Sequence, residues 1–583
     1  VLPSGNTLRV KKTYLNKMLT EEMARTIGMN HYYSYVRKTF SDILRALDVQ
    51  FGRPLMMTNM QNMNKEPDDM ISGERKPKID LFRTCVAAIP RLIPDGMSRQ
   101  DLIDLLARLT VHMDEEMKGL AFQSLQNIIA DFADWREDVV EGFIHFFLRE
   151  INDTLPQLMD NSLRMLLQIL TSWKNACQIS NNHNNNNISG KIGKENELPL
   201  SKQDHILNVL HNVEAVALTM LCYCRQPVRR LAAHILKETR TLFKQLFPTK
   251  EIDESVADAT DRASPSVVEL SFPFIPSNEK AAILSASFNI DLQWLAERNG
   301  SSWISGQHDS DTNTNKNTNE TIEENKINAW SVCFMALMNE VVKSCPTAVA
   351  LSWPLICHRL NVLFVYLDPA PVSDNRAAAL LRGTTSTAKK IPLDRDFYLE
   401  LWKNYLMYAC RIAPTATSGL SSNSVKFVTQ ETCASPDSLA SERSVENRSP
   451  MNRGVSASSL FKQVLPFLRN EQTDLRNAVI FGLAQVNHYA LKELIEELVP
   501  YIREAIDRKQ ENVRRRKRRE MLRIQLGKLL KLISERNILG KSPCVIDRDA
   551  GTLSTIFIEY IDGARLYLET EIDAKDSNSV INE

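Results

Sequence analysis

The stretch from Ser98 to Ala176 limits the folds open to this 583-residue chain more than any other. Leu102, Ile103, Leu105, Leu106 and Leu109 share one stripe opposite Asp101, Asp104 and Arg108, the period of an amphipathic helix over Arg99 to Val111. Asp114 stands where an N-cap belongs. Met117, Leu120, Ala121, Leu125, Ile128 and Ile129 carry the next apolar face until Asp134-Trp135-Arg136 interrupts it. Val139 to Ile151 and Asn161 to Lys174 read as two more helices. Short connections make consecutive helices antiparallel neighbours, and each pair carries more apolar surface than one partner covers. Such pairs must stack.

The second helix of a pair carries a pattern that returns. Met117-Lys118-Gly119-Leu120-Ala121 with Leu125 matches Val228-Arg229-Arg230-Leu231-Ala232 with Leu236 and Leu475-Arg476-Asn477-Ala478-Val479 with Leu483; Leu163-Arg164-Met165-Leu166-Leu167 is a weaker copy. The pattern is an apolar anchor, a basic residue read as facing the loop or solvent, then a small or aliphatic position where helices approach. Leu163 lies 46 residues after Met117, and Val228 lies 65 after Leu163, of which an Asn-rich tract accounts for 22. Periods of about 40 to 47 residues belong to HEAT and armadillo repeats. The expected fold is all-α, a HEAT/armadillo-like α-solenoid of stacked helix pairs with disordered polar insertions.

A solenoid grows in one dimension, so it escapes the size limit of a single core. With 71 basic and 71 acidic residues, no whole-molecule attraction to nucleic acid or anionic membrane is expected, and no run of 18 apolar residues marks a membrane span. The ten cysteines are scattered, mostly inside apolar helices, which fits reduced thiols in a cytoplasmic protein. Val1 is followed by no leader-like apolar region, and the chain reads as an interior fragment of a longer protein.

Helical repeats are expected over 1–178, 201–300, 328–414 and 460–583. They are separated by an Asn-rich disordered insertion at 179–200, a polar one at 301–327 and a Ser-rich linker at 415–459. Without these tracts, enough chain remains for at most roughly eleven repeats. The His31 to Tyr35 aromatic cluster reads as packing at a terminal repeat. Phe51 to Lys78, with five methionines among Asn, Pro and Gly, reads as an extended surface loop, and Thr249 to Pro276 as irregular. Ser435 and Ser449, each before proline, are candidate phosphorylation sites in the Ser-rich tract.

Tyr32 through Phe40, the loop Phe51-Gly52-Arg53-Pro54-Leu55-Met56, Lys78 through Arg83 and Ile93 through Met97 resemble the amino-terminal conserved region of the Furry family of large cell-morphogenesis proteins. Met113 through Phe122 and Phe132 through Arg136 carry the same resemblance, close over about residues 9 to 177. What the resemblance implies is a non-enzymatic scaffold several times longer than this chain. Such proteins act with an NDR-family (Tricornered-like) kinase and its Mob coactivator in polarised growth, at the cell cortex or on microtubules. It assigns no functional residue, no cofactor and no small-molecule substrate to positions here.

Physics supplies one candidate. Val513-Arg514 falls at the recurring anchor and basic positions, and there Arg514, Arg515, Arg516, Lys517, Arg518 and Arg519 run consecutively into a helix. Cations at a helix N-terminus oppose the macrodipole by about 0.3 to 1 kcal/mol each. The cluster reads as a protein-docking ridge for an acidic partner, with Arg225, Arg229 and Arg230 as the other visible cluster. Two other readings stay open: a microtubule-associated solenoid, and a nuclear-transport-like cargo receptor with a groove lined by Trp and Asn. No phosphate loop, H-E-x-x-H, G-x-S-x-G or paired-Cys zinc spacing occurs, and the ten histidines are dispersed.

Overall fold

The computed structural model describes residues 4–5, 18–59, 70–186, 200–248, 252–274, 277–285, 290–297, 329–367, 395–414, 456–507, 513–541 and 553–580. Among them no strand forms, apart from an isolated antiparallel bridge between Met56 and His112. Local chemistry sets the helix starts. The side chains of Ser98, Asp114, Ser255 and Ser456 accept hydrogen bonds from the backbone N–H groups of Asp101, Met117, Asp258 and Ser459, satisfying donors that a helix leaves unpaired.

Two compact units form: Val1–Val213 with Lys237–Lys250, and Glu214–Leu236 with Glu251–Glu583. The first contains α1 (Glu21–Thr26), α2 (Tyr33–Leu47), α3 (Lys76–Ala88), α4 (Arg99–Leu109), α5 (Glu115–Asp131), α6 (Arg136–Glu150) and α7 (Pro156–Asn186). α3, α5 and α7 pack in succession, α4 packs on α6, and α4·α5 and α6·α7 contacts join the two rows. Helices that alternate between two rows are what stacked hairpins produce. α8 (Leu200–Leu221) and α9 (Gln226–Leu246) supply residues to both units.

The second unit continues with α10 (Val256–Val267), α11 (Ser277–Ser285), α12 (Leu292–Glu297), α13 (Ala329–Ser344), α14 (Pro346–Leu367), α15 (Arg395–Ile412) and α16 (Ala457–Val464). It ends with α17 (Thr473–Leu483), α18 (Leu491–Ile506), α19 (Val513–Glu535) and α20 (Leu553–Val580). α13, α15, α17 and α19 pack one on the next, as do α16, α18 and α20, with α14 against α13 and α15 and α18 against α19. The all-α fold of stacked helix pairs stands. α14 is long and apolar enough to cross a membrane by length and composition, but more than half of that stretch is buried and it carries the buried Arg359. It is a core helix.

Three expectations are corrected. Thr249 to Pro276 is not irregular: Ser255 caps α10, and Ala257, Ala259, Ala263 and Val267 are buried, so small apolar residues outweigh the Ser, Asp and Pro that suggested a loop. A 3-10 segment, Val268–Phe274, follows. Phe51 to Lys78 is no extended loop at its start, because a π-helical turn, Asp48–Gly52, runs into a 3-10 turn, Arg53–Leu55, and Phe51, Leu55 and the following Met56 are buried. α7 runs to Asn186, past the expected end at Lys174. Residues 187–199, 301–327 and 415–455 lie outside the described residues.

Close helix approaches occur at glycines that the recurring pattern did not mark. Gly119 faces open space, whereas a Cβ on Gly142 would come within 2.6 Å of the Ile103 side chain, and one on Gly482 would overlap Leu406 across the α15·α17 contact. Gly482→Val is expected to lower stability by about 1 to 3 kcal/mol through overpacking. Denaturant melts read this, with Gly119→Ala as the comparison, expected to gain about 0.5 to 1 kcal/mol instead because its Cβ meets nothing.

Candidate functional site

At two of the four recurring positions, Arg229 and Arg476, the basic residue points inward, whereas Arg164 is exposed and Lys118 pairs with the exposed Glu115. Arg229 is fully buried and its Nη1 donates to the carbonyls of Tyr223 (3.1 Å) and Cys224 (2.6 Å), while its guanidinium lies 4.9 Å from the Trp330 ring centre. Arg476 repeats the register on Asn470 (2.6 Å) and Glu471 (2.9 Å) and adds Thr473 Oγ1 (3.0 Å). Each arginine folds back five and six residues to clamp the turn before its own helix. The expectation that this residue faces the loop holds for both arginines, the solvent-facing alternative does not, and the burial removes Arg229 from any exposed cluster. Two charge-assisted hydrogen bonds to carbonyls and an aromatic face repay part of the desolvation of the cation, and burial still pushes the guanidinium down to about 10.

The clamps belong to a wider device. Four successive carbonyls at and just past the α8 end each accept from a side chain: Leu221 from Trp330 Nε1 (2.9 Å), Cys222 from Asn404 Nδ2 (3.0 Å), and Tyr223 and Cys224 from Arg229. Asn404 is itself oriented by Ser331 Oγ at 2.7 Å. Further along, Asn487 Nδ2 donates to the carbonyls of Arg411 and Ala413, and Arg536 to those of Ala484 and Val486. Helix ends carry unpaired carbonyls and partial negative charge, so Asn and Arg from the next helix are the residues that fit them.

The family-like motifs of the first unit converge on structure, not on a reaction centre. Arg108 donates through both Nη atoms to Asp48 at 2.9 Å and through Nε to Asp104 at 2.8 Å, and Arg149 meets Asp104 at 2.7 Å. His112 Nδ1 accepts from the Asp114 backbone N–H at 3.0 Å, so its Nε2 carries the proton and donates to the Phe51 carbonyl at 2.8 Å. Burial pushes this imidazole below its usual pKa and favours the neutral ring. Arg83 forks onto Asp114, and Arg37 and Arg45 donate to the carbonyls of Ile93 and Gly96. These ties pin the Phe51 to Met56 segment and the Ile93 to Met97 turn to neighbouring helices. Sequence reading placed Asp114 at its cap but missed the ion pairs, whose partners lie up to 60 residues apart.

At the ridge, α19 begins at Val513 as expected, and the backbone of all six cations is helical. The side chains of Arg514 and Arg515 lie outside the described residues. Arg516, Lys517 and Arg518 are exposed, and Arg518 stands 3.7 Å from Glu471, itself 82% exposed. Arg519 does not join them: it donates to the Asp507 carbonyl, and Arg523 donates to that of Ala505 at 2.7 Å. These two cap the C-terminus of α18, where cations are favoured. Among the four cations of the run whose side chains are described, Arg516, Lys517 and Arg518 form an outer set, and Arg519 joins Arg523 in an inner, structural one. Lys528 and Lys531 continue the exposed side of α19, with Ile524 between them and the cluster. Ser435 and Ser449 lie outside the described residues. None of the eight described cysteines is in a disulfide.

The fold defines an all-α protein of stacked helix pairs, with Arg516, Lys517 and Arg518 exposed near the start of α19. Residues 2–174 match the family described as Cell morphogenesis N-terminal, which bears out the resemblance to Furry-type morphogenesis proteins over that region. Cell morphogenesis protein PAG1 of Saccharomyces cerevisiae is 22% identical over 552 residues, covering 84% of this chain and 21% of that protein. Cell polarity protein mor2 of Schizosaccharomyces pombe is 27% identical over 176 residues, covering 30% of this chain and 8% of that protein. The chain thus spans about a fifth of the length of the first relative and less of the second. An engineered protein of solved structure aligns with 85% of this chain and 97% of its own at 10% identity and a TM-score of 0.17, a likeness that carries no argument about fold.

Proposed function

We propose that this chain is part of a non-enzymatic, cytoplasmic scaffold of the Furry type. In this reading it binds and supports activation of an NDR-family kinase with its Mob coactivator in cell morphogenesis and polarised growth, near the cell cortex or microtubules. The observation that carries the reading is the match of residues 2–174 to the Cell morphogenesis N-terminal family, joined to relatives named for morphogenesis and polarity. The docking feature is the outer set of α19, Arg516, Lys517 and Arg518, which suits an acidic protein surface because exposed cations steer and orient partners at modest cost in solvation. Acidic tubulin tails suit the same ridge, which keeps a microtubule-binding reading alongside. The cargo-receptor reading has less support, because five of the six described tryptophans, Trp135, Trp173, Trp330, Trp353 and Trp402, are buried and only Trp294 is half-buried.

The test is co-purification of the chain with an NDR-family kinase, with and without Mob, across a salt series, beside a variant with Arg516, Lys517 and Arg518 reversed to Glu. Retention of the kinase at low salt, released by the reversal, is the expected result. Retention that ignores the reversal moves the dock away from α19. Pelleting with microtubules in place of kinase retention supports the second reading.

A further inference from the structure

In the first unit, α6 carries Asp138 and Glu141 one turn apart, and both face His205 of α8. His205 Nε2 lies 4.0 Å from Asp138 Oδ1 and 3.8 Å from Glu141 Oε2, and the three donor atoms all fall within 4.8 Å of one another. Ligand atoms about 2.1 Å from one tetrahedral ion stand roughly 3.4 Å apart. The imidazole needs to approach each carboxylate by only about half an ångström to reach that spacing, and no two of the three atoms stand more than 4.8 Å apart.

The flanking cations leave this arrangement open. Lys202, one turn before His205, pairs with Glu137 at 3.2 Å. Arg99 meets the other Asp138 oxygen, Oδ2, at 3.4 Å and holds Asp134 with its second nitrogen. Asp138 Oδ1 and Glu141 Oε2 are therefore the oxygens turned to the imidazole, and Arg99 fixes Asp138 from behind, as outer partners of ligating carboxylates do. Side-chain exposures of 25%, 26% and 40% for Asp138, Glu141 and His205 place the group half-buried at the junction of two helices, with room for water. A histidine contributed by a second helix is what distinguishes the group from surface acids on one helix.

We propose that Asp138, Glu141 and His205 form a binding site for a zinc-class divalent cation, with water completing the shell, that staples α6 to α8. One imidazole nitrogen with two carboxylate oxygens suits zinc, cobalt or nickel, whereas calcium and magnesium prefer oxygen alone. No reaction is assigned to the site; bound metal adds its binding free energy to the folded state.

The experiment uses the full chain stripped of metal by chelation and titrated with Co²⁺ by visible absorption and with Zn²⁺ by calorimetry and thermal melting. One saturable site is expected, with Zn²⁺ raising the melting temperature and excess Mg²⁺ failing to compete. His205→Ala abolishes the site, and the near-isosteric Glu141→Gln weakens it at least about tenfold while preserving the circular dichroism spectrum. Absence of saturable uptake in the unaltered chain overturns the proposal. So does uptake that survives both substitutions, or a drop in stability in His205→Ala without any zinc response in the unaltered chain, which would make the group a simple ion pair.

Discussion

Arg108→Ala lowers the stability of the first unit by about 3 to 5 kcal/mol, the cost of leaving a buried carboxylate without its partner. Arg108 and Asp48 are each 5% exposed, and the fork between them joins the end of α2 to α4. Arg53 reaches Asp48 only at 3.4 Å and is itself mostly exposed, so it compensates little. The companion variant Asp48→Asn with Arg108→Met removes both charges and recovers much of the loss, because a buried pair replaced by neutral groups is often near neutral in energy. Denaturant midpoints of the two variants decide the matter; a loss below about 1 kcal/mol for Arg108→Ala shows that water reaches Asp48. Acid acts on the same network. Burial disfavours the Asp104 carboxylate, but Arg108 and Arg149 outweigh it and hold its pKa below the usual carboxylate range. That share of stability is present above about pH 3.9 and is lost as pH falls through the lower folded value.

Arg229→Met is expected to cost about 3 kcal/mol, by removing charge-assisted hydrogen bonds to two carbonyls that no water then reaches. The effect is local, so hydrogen exchange reads it best. Amides around the 221–226 turn exchange about 100-fold faster, while those of α17 keep their protection. Arg476→Met repeats the effect on the 470–473 turn with smaller amplitude, since that turn is more exposed. Unchanged exchange at both turns means that the recurring arginine is incidental and that apolar stacking alone fixes the turns.

Period and capping carried most of the fold. Leu102 to Leu109 and Met117 to Ile129 announce their helices because the apolar stripe is unbroken and Ser98 and Asp114 mark the starts. α10 was hidden because Ser, Asp and Pro interrupt its sequence while its buried apolar residues are only alanine and valine. Arg229 and Arg476 were visible as a repeated position, but not their direction, since a lone basic residue in a helix normally seeks solvent. Their partners are backbone carbonyls, which leave no trace in side-chain identity. Asp138, Glu141 and His205 come together only through the packing of α6 on α8, so each reads alone as a surface residue. At the ridge, the run of six cations was legible; its division into outer and inner sets depends on where the α18 carbonyls end.

That division is the most direct route to the central claim, that the outer cations of α19 serve a partner while the inner ones serve the fold. Two variants are compared for thermal stability and for retention of an NDR-family kinase with Mob: Arg516, Lys517 and Arg518 all changed to Glu, and Arg519 with Arg523 changed to Ala. The account predicts that the first keeps its melting temperature and loses the partner with a reduced salt dependence, and that the second melts several degrees lower. A first variant that melts early, or that retains the kinase at every salt concentration, contradicts it.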